Sequence, residues 1–272
     1  MLFSGKTIFI TGASRGIGKA IALRMAKEGA NIIIAAKSVT EDPRLGGTIY
    51  SAAQEINESG GRALAVACDI RDEMQIIDAV QKGIAFFGGI DALINNASAI
   101  NLSGTEATET KQFDLMHDIN VRGTFLVTKH CMPFLKRAKN PHVITLSPPV
   151  NLSPKWLGMA PAYTISKYNM SMLSMGWAAE FKQAGVAVNA LWPVSTIATK
   201  AVKNLLGGDA LMERSRIPEI LADAVYYILQ ENANSYTGQC LLDEEVLKAH
   251  GITDLSKYAV NKDLPLQTDL FL

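Results

Sequence analysis

Short apolar runs and segments of helical periodicity alternate along the chain. Between the runs, apolar residues recur every three or four positions, for example at Ile17, Ile21 and Met25, which is the spacing of one helix face. Strands that alternate with helices form a parallel sheet with helices on both faces. The pattern predicts a doubly wound α/β fold with a seven-stranded parallel sheet, its strands lying within residues 6–11, 31–36, 63–68, 92–98, 143–146, 186–192 and 236–243.

Length and composition favour one domain. A chain of 272 residues with 48% hydrophobic residues can bury a large core, and α/β folds of this size are often single domains. Beyond the seventh run, the chain continues to Leu272 with one short helical pattern and Pro265. We expect a single domain over residues 1–272, with a C-terminal extension from about residue 244.

Charge and cysteine usage narrow the class of partner. The formal net charge is zero, without a basic cluster that would favour nucleic acid or anionic lipid, so a small neutral molecule is the expected partner. The sequence has no signal peptide pattern and no apolar run of membrane-spanning length, which predicts a soluble, cytoplasmic protein. Cys68, Cys131 and Cys240 lack metal-binding spacing, so we expect packing residues and no metal site.

The junction of the first strand and first helix carries a glycine pattern typical of phosphate binding. Gly12, Gly16 and Gly18 form the spacing G-x-x-x-G-x-G. Ser14 and Ile17 lie between these glycines. Glycine permits a sharp turn and a close backbone approach, and the helix N-terminus offers free N–H groups to a pyrophosphate. A tight turn without a ligand is the alternative. The position at the first strand of a Rossmann-type sheet favours a dinucleotide site.

The end of the second strand indicates which dinucleotide is preferred. NAD-binding folds usually place an acid there for the ribose hydroxyls, whereas a 2′-phosphate requires a cation. This strand ends at Ala36 and Lys37, and Arg15 lies in the neighbouring glycine turn. Each cation alone is more often a solvated charge. Two cations at the two expected places predict NADP, with NAD as the lesser possibility.

Polar residues also follow the third and fourth strands. Asp69 is placed to accept a hydrogen bond from the adenine amino group, although a cap for a helix starting near Arg71 is the alternative. Asn96 and Ala97 lie in the amide-rich end of the fourth strand. Because ligands bind at the carboxyl ends of parallel strands, all three are candidate cofactor contacts.

Tyr163 and Lys167 are candidate catalytic residues. They are four positions apart, which places them one turn apart on one helix face. A nearby ammonium favours phenolate, so Lys167 is expected to lower the pKa of Tyr163 and make it an acid/base group for a carbonyl or alcohol. Packing is the usual alternative for such a pair, and the dinucleotide site upstream argues against it.

The ordered motifs resemble those of the short-chain dehydrogenase/reductases over nearly the whole chain, to about Asp243. The resemblance implies a nicotinamide-dependent oxidoreductase, with Lys167 bonded to the nicotinamide ribose, and a homodimer or homotetramer. It also implies that Asn120 holds a water for proton relay, whereas local bonding to the helix backbone is the alternative. The motifs are residues 11–18, Asp69, 95–97, Asn120 and 163–167.

The sequence departs from this family at the catalytic serine. That serine usually lies about thirteen residues before the tyrosine, where Val150 stands here, or at Pro148 if two residues are inserted. Neither side chain carries a hydroxyl. Ser147 is the favoured substitute; Ser153 or Tyr163 acting alone are the alternatives.

The region after the sixth strand also departs from the family pattern, because Pro193 and Val194 replace the family's Pro-Gly. After the fourth strand, Ser98 replaces a glycine. The cofactor slot is therefore expected to be narrower, with Pro193 beside the nicotinamide and Thr196 in contact with the carboxamide or a phosphate; Thr199 is a similar candidate. Residues 201–217 include the apolar Leu205, Leu206, Leu211 and Met212 and suggest a lid over an apolar substrate, although plain packing gives the same stripe.

Together these features predict an NADP-dependent oxidoreductase for a small, apolar, lipid- or steroid-like carbonyl/alcohol pair. The alternative is a dinucleotide-binding protein with weakened catalysis that acts as a sensor or interaction partner. The missing serine and altered glycines favour the alternative, whereas Tyr163 and Lys167 oppose it. Turnover over a substrate panel would discriminate between them.

Overall fold

Seven parallel strands build one sheet in the computed structural model, which describes residues 1–272 except for the side chain of Leu205. The strand order is β3-β2-β1-β4-β5-β6-β7, and the neighbours pair in parallel. This confirms the predicted doubly wound sheet. The strands are β1 (Thr7–Thr11), β2 (Asn31–Ala36), β3 (Arg62–Ala67), β4 (Ala92–Asn95), β5 (His142–Leu146), β6 (Ala187–Trp192) and β7 (Cys240–Leu242).

Helices cover both faces because neighbouring residues of the central strands point to opposite sides. Ile8 and Ile10 belong to one buried cluster, and Phe9 between them belongs to the other. The helices are α1 (Gly16–Lys27), α2 (Ile49–Glu58), α3 (Glu73–Phe87), α4 (Thr110–Met116), α5 (Thr124–Leu135), α6 (Pro154–Met159), α7 (Pro161–Glu180), α8 (Lys200–Val202), α9 (Gly208–Glu213), α10 (Glu219–Ile228) and α11 (Asp243–Ala249).

The chain order reverses direction between β1 and β4. From β1 it proceeds outward to β2 and β3, and β4 then pairs on the other side of β1. A crevice opens at the carboxyl ends of strands where the order reverses, and ligands of this fold class bind there. The glycine turn after β1 therefore lies at the expected binding edge.

A π-helical turn, His117–Gly123, joins α4 to α5 without a loop. Such turns are rare in helices and are often found at functional sites. This one contains Asn120, which the resemblance placed in an interrupted helix, and it packs against α7.

The extension after β7 packs on the sheet and then returns to it. Val246, Leu247 and Tyr258 join the cluster that contains Ile8. The final residues run beside the loop after β6, where Thr268 forms an antiparallel bridge with Ser195. β7 is shorter than predicted because Gly238, at φ 77°, turns the chain just before the strand.

Two remaining expectations concern membranes and thiols. Within the described part of the chain, no helix combines the length and apolarity needed to cross a bilayer. Cys68 and Cys131 are buried as predicted, and burial raises the pKa of both thiols, whereas Cys240 is only half-buried.

Candidate active site

The glycine turn after β1 requires its three glycines, two for their backbone conformation and one for space. Gly12 and Gly16 adopt φ values of 67° and 56°, a region that disfavours other residues. A Cβ on Gly18 would lie 2.5 Å from Nδ2 of Asn96 and 2.8 Å from the carbonyl oxygen of Gly12. The turn is therefore a backbone cradle, which is the form that a pyrophosphate site requires.

Hydrogen bonds join this cradle to the end of β4. Thr11 Oγ1 accepts from the backbone N–H groups of Asn96 and Ala97, each at 3.0 Å. Asn96 Nδ2 donates in return to the carbonyl oxygens of Thr11, at 2.9 Å, and Gly12, at 3.1 Å. Thr11 thus organises the turn. Its place directly before Gly12 was the available signal, but it was not among the predicted site residues.

A cavity of about 880 Å³ extends from this cradle, large enough for a dinucleotide. Pro193 and Thr196 do not line it. Thr196 Oγ1 instead bonds to Ser215 Oγ at 2.8 Å, and Thr199 is the threonine on the cavity wall. The predicted cofactor residues on the wall are Gly12, Ser14, Arg15, Gly16, Ile17, Lys37, Asp69, Asn96 and Ala97.

Two cations, Arg15 and Lys37, line the cavity. Arg15 contacts Ser38 Oγ through Nη2, while its Nη1 is buried without a hydrogen-bond partner. Lys37 is exposed, and Ala36 before it offers no carboxylate. A guanidinium nitrogen without a partner is a donor that an anionic group can satisfy. Ser38 was missed in the sequence, although it directly follows Lys37.

Asp69 lies on the cavity wall and is ion-paired with Arg71, whose Nη2 is 2.5 Å from Oδ2. The hydrogen bonds from Arg71 hold the pKa of Asp69 below its ordinary value, so the group is an ionised acceptor. The alternative role as a helix cap is wrong, because α3 begins at Glu73 and its cap is Asp72, which accepts from the N–H of Met74.

The predicted lid lies beside the dinucleotide cavity. Ala201 lines that cavity, and Asn204 Nδ2 donates at 2.9 Å to the carbonyl oxygen of Arg44, in the long loop after β2. The loop after β2 thus offers the lid a packing partner, and its expected position over a substrate stays a prediction. The side chain of Leu205, named in that prediction, lies outside the described residues.

Tyr163 and Lys167 lie one turn apart in α7, as predicted, and both are almost fully buried, at 5% and 2% exposure. Lys167 Nζ donates to the carbonyl oxygen of Leu146, at 2.6 Å, and lies 5.1 Å from the ring centre of Trp192. The lysine is therefore bound to the end of β5 and holds α7 against the sheet.

Burial dominates the electrostatics of this pair. It raises the pKa of Tyr163 and lowers that of Lys167 to about 7, and the charge of Asp269 raises both. The expected lowering of the tyrosine pKa by Lys167 is not found in this structure. A dry pocket disfavours both charged forms, which outweighs the attraction between them.

Asn120 is fully buried and uses its amide on neighbouring elements. Its Oδ1 accepts from the N–H of Ala99 at 2.8 Å, while Nδ2 donates to the carbonyl oxygen of Ala99 and to Ser166 Oγ, both at 2.9 Å. The alternative of local bonding to its own helix is wrong. Asn120 fixes the loop after β4 against α7, and Ala99 and Ile100 in that loop lie between the cavity and Tyr163.

Ser147 and Ser153 differ in burial. Ser147 directly follows Leu146, the residue that binds Lys167; it is 1% exposed and its Oγ has no hydrogen-bond partner. Ser153 is half-buried and precedes α6. Buried hydroxyls are normally bonded, so Ser147 Oγ is an unsatisfied polar group, and its role toward a substrate oxygen stays a prediction.

Two acids near the site were not predicted. Asp243 is buried at the start of α11 and accepts from the N–H groups of Val194, at 2.9 Å, and Glu244, at 2.8 Å, while its other oxygen has no partner. Burial raises the pKa of Asp243 to about 6 and that of Asp269 to about 7. Their sequence surroundings are those of ordinary surface carboxylates, which is why they gave no signal.

Replacing Asp243 with Asn should stabilise the protein increasingly as the pH rises. Because the folded-state pKa lies above the ordinary value of 3.8, the contribution of Asp243 to stability is complete below about pH 4 and lost as the pH passes 6. Asparagine keeps the acceptor and carries no charge. The Tm of the variant minus that of the parent, measured by circular dichroism, should increase by about 5 °C between pH 4 and pH 8.

Exposed Asp263 supplies the matched control, because Asp263→Asn removes a carboxylate from solvent-accessible surroundings. Its Tm difference from the parent should not change with pH. An Asp243→Asn difference that is equally flat would contradict the raised pKa.

A glycine cradle where the strand order reverses, with a Tyr–Lys pair close by, defines a nicotinamide-dependent α/β oxidoreductase. The family model described as "short chain dehydrogenase" matches residues 6–208. The chain therefore belongs to the short-chain dehydrogenase/reductase family. Within it, the loop after Lys37 and the run 146–154 predict a likeness to hydroxysteroid dehydrogenase-like protein 2 and its bacterial relatives.

The relatives confirm this likeness. Hydroxysteroid dehydrogenase-like protein 2 of Danio rerio is 54% identical over 269 residues, which are 99% of this chain and 64% of that protein. The chain thus spans less than two thirds of this relative's length. A solved structure from Xanthomonas campestris is 53% identical, with a TM-score of 0.96 over 99% of this chain and 98% of that one. A metagenomic short-chain oxidoreductase solved in complex with NADP is 26% identical, with a TM-score of 0.73 over 89% of this chain and 98% of that one.

Proposed function

We propose that the protein is an NADP-dependent oxidoreductase that interconverts a carbonyl and a secondary alcohol on a small, apolar, lipid- or steroid-like substrate. The observation that carries the proposal is the position of Tyr163 and Lys167 behind the wall of the dinucleotide cavity. Ala99 and Ile100 line that cavity and also pack against the cluster that contains Tyr163. Cofactor and acid/base group are thus separated by one loop.

The residues present fit a nicotinamide dinucleotide. The cradle at Gly12 and Gly18 leaves space that a Cβ would fill, and the unpartnered Arg15 Nη1 faces an anionic position. When bound, the dinucleotide supplies or accepts the hydride. Asp69 is an ionised acceptor for its adenine, and Thr199 faces the phosphate turn in place of Thr196.

Four side chains take the proton-handling and positioning roles. Tyr163 Oη gives a proton to the carbonyl oxygen in reduction and removes it from the alcohol in oxidation. Lys167, with its pKa lowered to about 7, exchanges a proton near neutral pH and bonds to the ribose. Asn120 holds the relay water, and Ser147 Oγ holds the substrate oxygen.

The surroundings of Tyr163 favour an apolar substrate. The buried cluster around its ring consists of apolar and aromatic side chains, and Ile100 and Leu102 pack against it. Lys167 is almost fully buried, and burial disfavours its charged form, which does not favour an anionic substrate. The cluster contains Met116, Trp156, Ala160, Tyr168, Trp192 and Phe271.

NADPH should bind at least tenfold tighter than NADH, a difference of about 1.4 kcal/mol. Arg15 and Lys37 can pair with a 2′-phosphate, and Ala36 offers no acceptor for a free ribose hydroxyl. Calorimetric titration of both dinucleotides is the measurement, and Arg15→Ala with Lys37→Ala should remove the preference. Lys27→Ala, at an exposed lysine outside the cavity, is the control. Equal affinities in the parent would refute the assignment.

Turnover with NADPH and NADH over apolar ketones, aldehydes and secondary alcohols tests the reaction itself. Activity in at least one direction supports the proposal. Tight dinucleotide binding without turnover over the panel would favour the alternative of a sensor or interaction partner. The proposal includes a cytoplasmic homodimer or homotetramer, whose mass light scattering would measure, and one structural domain over residues 1–272.

A further inference from the structure

An aromatic ring from the far end of the chain fills the space beside the Tyr163 phenol. Phe271 is fully buried, and its ring centre lies 6.1 Å from that of Tyr163. Trp156, Tyr168 and Trp192 surround it at 5.8, 5.2 and 6.0 Å. These are contact distances for aromatic rings, so Phe271 occupies a cage with aromatic walls.

The dinucleotide cavity does not extend to the cage. The cavity wall reaches Ala99 and Ile100 and includes neither Tyr163 nor Lys167. Both catalytic side chains are at most 5% exposed. A substrate carbonyl therefore reaches Tyr163 only if part of this cover moves.

Backbone hydrogen bonds hold the segment before Phe271 as far as Asp269. The carbonyl oxygen of Gln267 accepts from the N–H of Thr196 at 2.9 Å, and the N–H of Asp269 donates to the carbonyl oxygen of Val194 at 3.0 Å. These bonds form a short antiparallel strap along the loop after β6. Movement of this segment is thus confined to the residues after Asp269.

Residues 270–272 are held less tightly by polar contacts. Trp192 Nε1 donates to the carbonyl oxygen of Leu270 at 3.0 Å, and Asn151 Nδ2 donates to that of Phe271 at 3.3 Å, a long hydrogen bond. Phe271 also has a φ of 75°, unique among the non-glycine residues described, and this region disfavours a bulky side chain. Withdrawal of residues 270–272 therefore breaks two hydrogen bonds, those to the carbonyl oxygens of Leu270 and Phe271, and relieves an unfavourable backbone conformation.

We infer that Phe271 is an internal competitor that occupies the subsite for the apolar part of the substrate. Residues 270–272 withdraw to admit a substrate with an aromatic or alicyclic ring, and they reclose after release. This inference rests on the proposed function, because it places the reacting carbonyl at Tyr163. A ligand that binds only the open state has an apparent affinity equal to its intrinsic affinity multiplied by the fraction of open protein. A substitution that raises this fraction should therefore strengthen binding.

Calorimetric titration of the whole chain with 4-phenylcyclohexanone tests the inference. Phe271→Ala vacates the subsite and should lower the Kd of this ketone at least tenfold. Asn151→Asp removes the donor to Phe271 but keeps the Oδ1 acceptor that bonds to the N–H of Ser153, and it should lower the Kd about threefold. Phe86→Ala, at an exposed phenylalanine in α3, is the matched control and should leave the Kd unchanged.

The second variant separates a natural subsite from an artificial one. A Phe→Ala change in any core can create a cavity that binds small apolar molecules, whereas Asn151→Asp creates none. Tighter binding in both variants, with the Kd of NADPH unchanged, supports the inference. Tighter binding in Phe271→Ala alone, or weaker binding in folded Asn151→Asp, would overturn it.

Binding needs no turnover, so the two proposals can fail separately. If both variants bind the ketone more tightly and no variant reduces it, the proposed reaction is wrong and the competitor role stands. If the parent reduces the ketone and neither variant changes the Kd or the KM of the ketone, the competitor role is wrong and the reaction stands.

Discussion

Replacing Tyr163 with phenylalanine should lower turnover by about a hundredfold or more and leave the Kd of NADPH within about twofold of the parent value. The change removes only the hydroxyl that transfers a proton to the substrate oxygen, a role worth roughly two to four orders of magnitude in rate. The ring keeps its contact with Phe271, so the cage is preserved. Steady-state kcat and calorimetric cofactor binding measure the two effects separately.

Two further variants serve as a control and as a second test of the catalytic pair. Tyr50→Phe removes a hydroxyl from an exposed position in α2 and should leave kcat unchanged. Lys167→Ala should weaken both turnover and cofactor binding, because this residue holds α7 to the carbonyl oxygen of Leu146 and is proposed to bond to the ribose. Parent-level turnover in folded Tyr163→Phe would rule out the acid/base role.

The sheet could be predicted because its strands are buried on both faces. Residues 32–36 are all apolar, which is typical of a parallel strand covered on both faces, and nearby glycines mark the turns. The strand ends were less predictable. β7 begins at Cys240 because Gly238 turns the chain before it, whereas the apolar pattern alone extends back to Tyr236.

Those predicted site residues that line the cavity were predictable because they are local. The cradle and the acceptor at Asp69 each follow a strand directly, so position along the chain determines position at the sheet edge. Thr196 and Thr199 show the limit of this reasoning. They lie in one irregular loop, and only the packing of Thr196 on Ser215 determines which one faces the cavity.

The substrate half was not predictable, because it depends on a contact across about a hundred residues of sequence. Phe271 and Asp269 reach Tyr163 by the strap along the loop after β6, and no local pattern determines where an extension folds back. One weak signal was present. Leu270, Phe271 and Leu272 form a short apolar run after the polar residues 267–269, which is typical of a segment that docks on a core.

The same contact explains why the electrostatics of the catalytic pair differ from the expectation. Helix spacing alone brings an ammonium near a phenol, and in a wet site that lowers the pKa of the phenol. Under the cover of Phe271, burial raises the pKa of Tyr163 instead. We expect the tyrosine to become an effective acid/base group only when residues 270–272 have withdrawn.

Ser147→Ala should reduce kcat/KM by about a hundredfold, since a donor to a developing negative charge in a dry site is typically worth that much or more. Ser147 directly follows the residue that binds Lys167, which places it close to the catalytic pair. Pro148 restricts its backbone to extended conformations. Its Oγ, buried and without a partner, is thus available to the substrate oxygen.

The control for this prediction is Ser153→Ala, which removes a hydroxyl from a half-buried position before α6 and should change kcat/KM less than threefold. Since Ser147 Oγ bonds to nothing in this structure, its removal should not destabilise the fold, and a matching Tm would exclude unfolding as the cause of lost activity. A loss confined to Ser153→Ala would transfer the role to that residue. Full activity in both variants would leave Tyr163 as the sole group that holds the substrate oxygen.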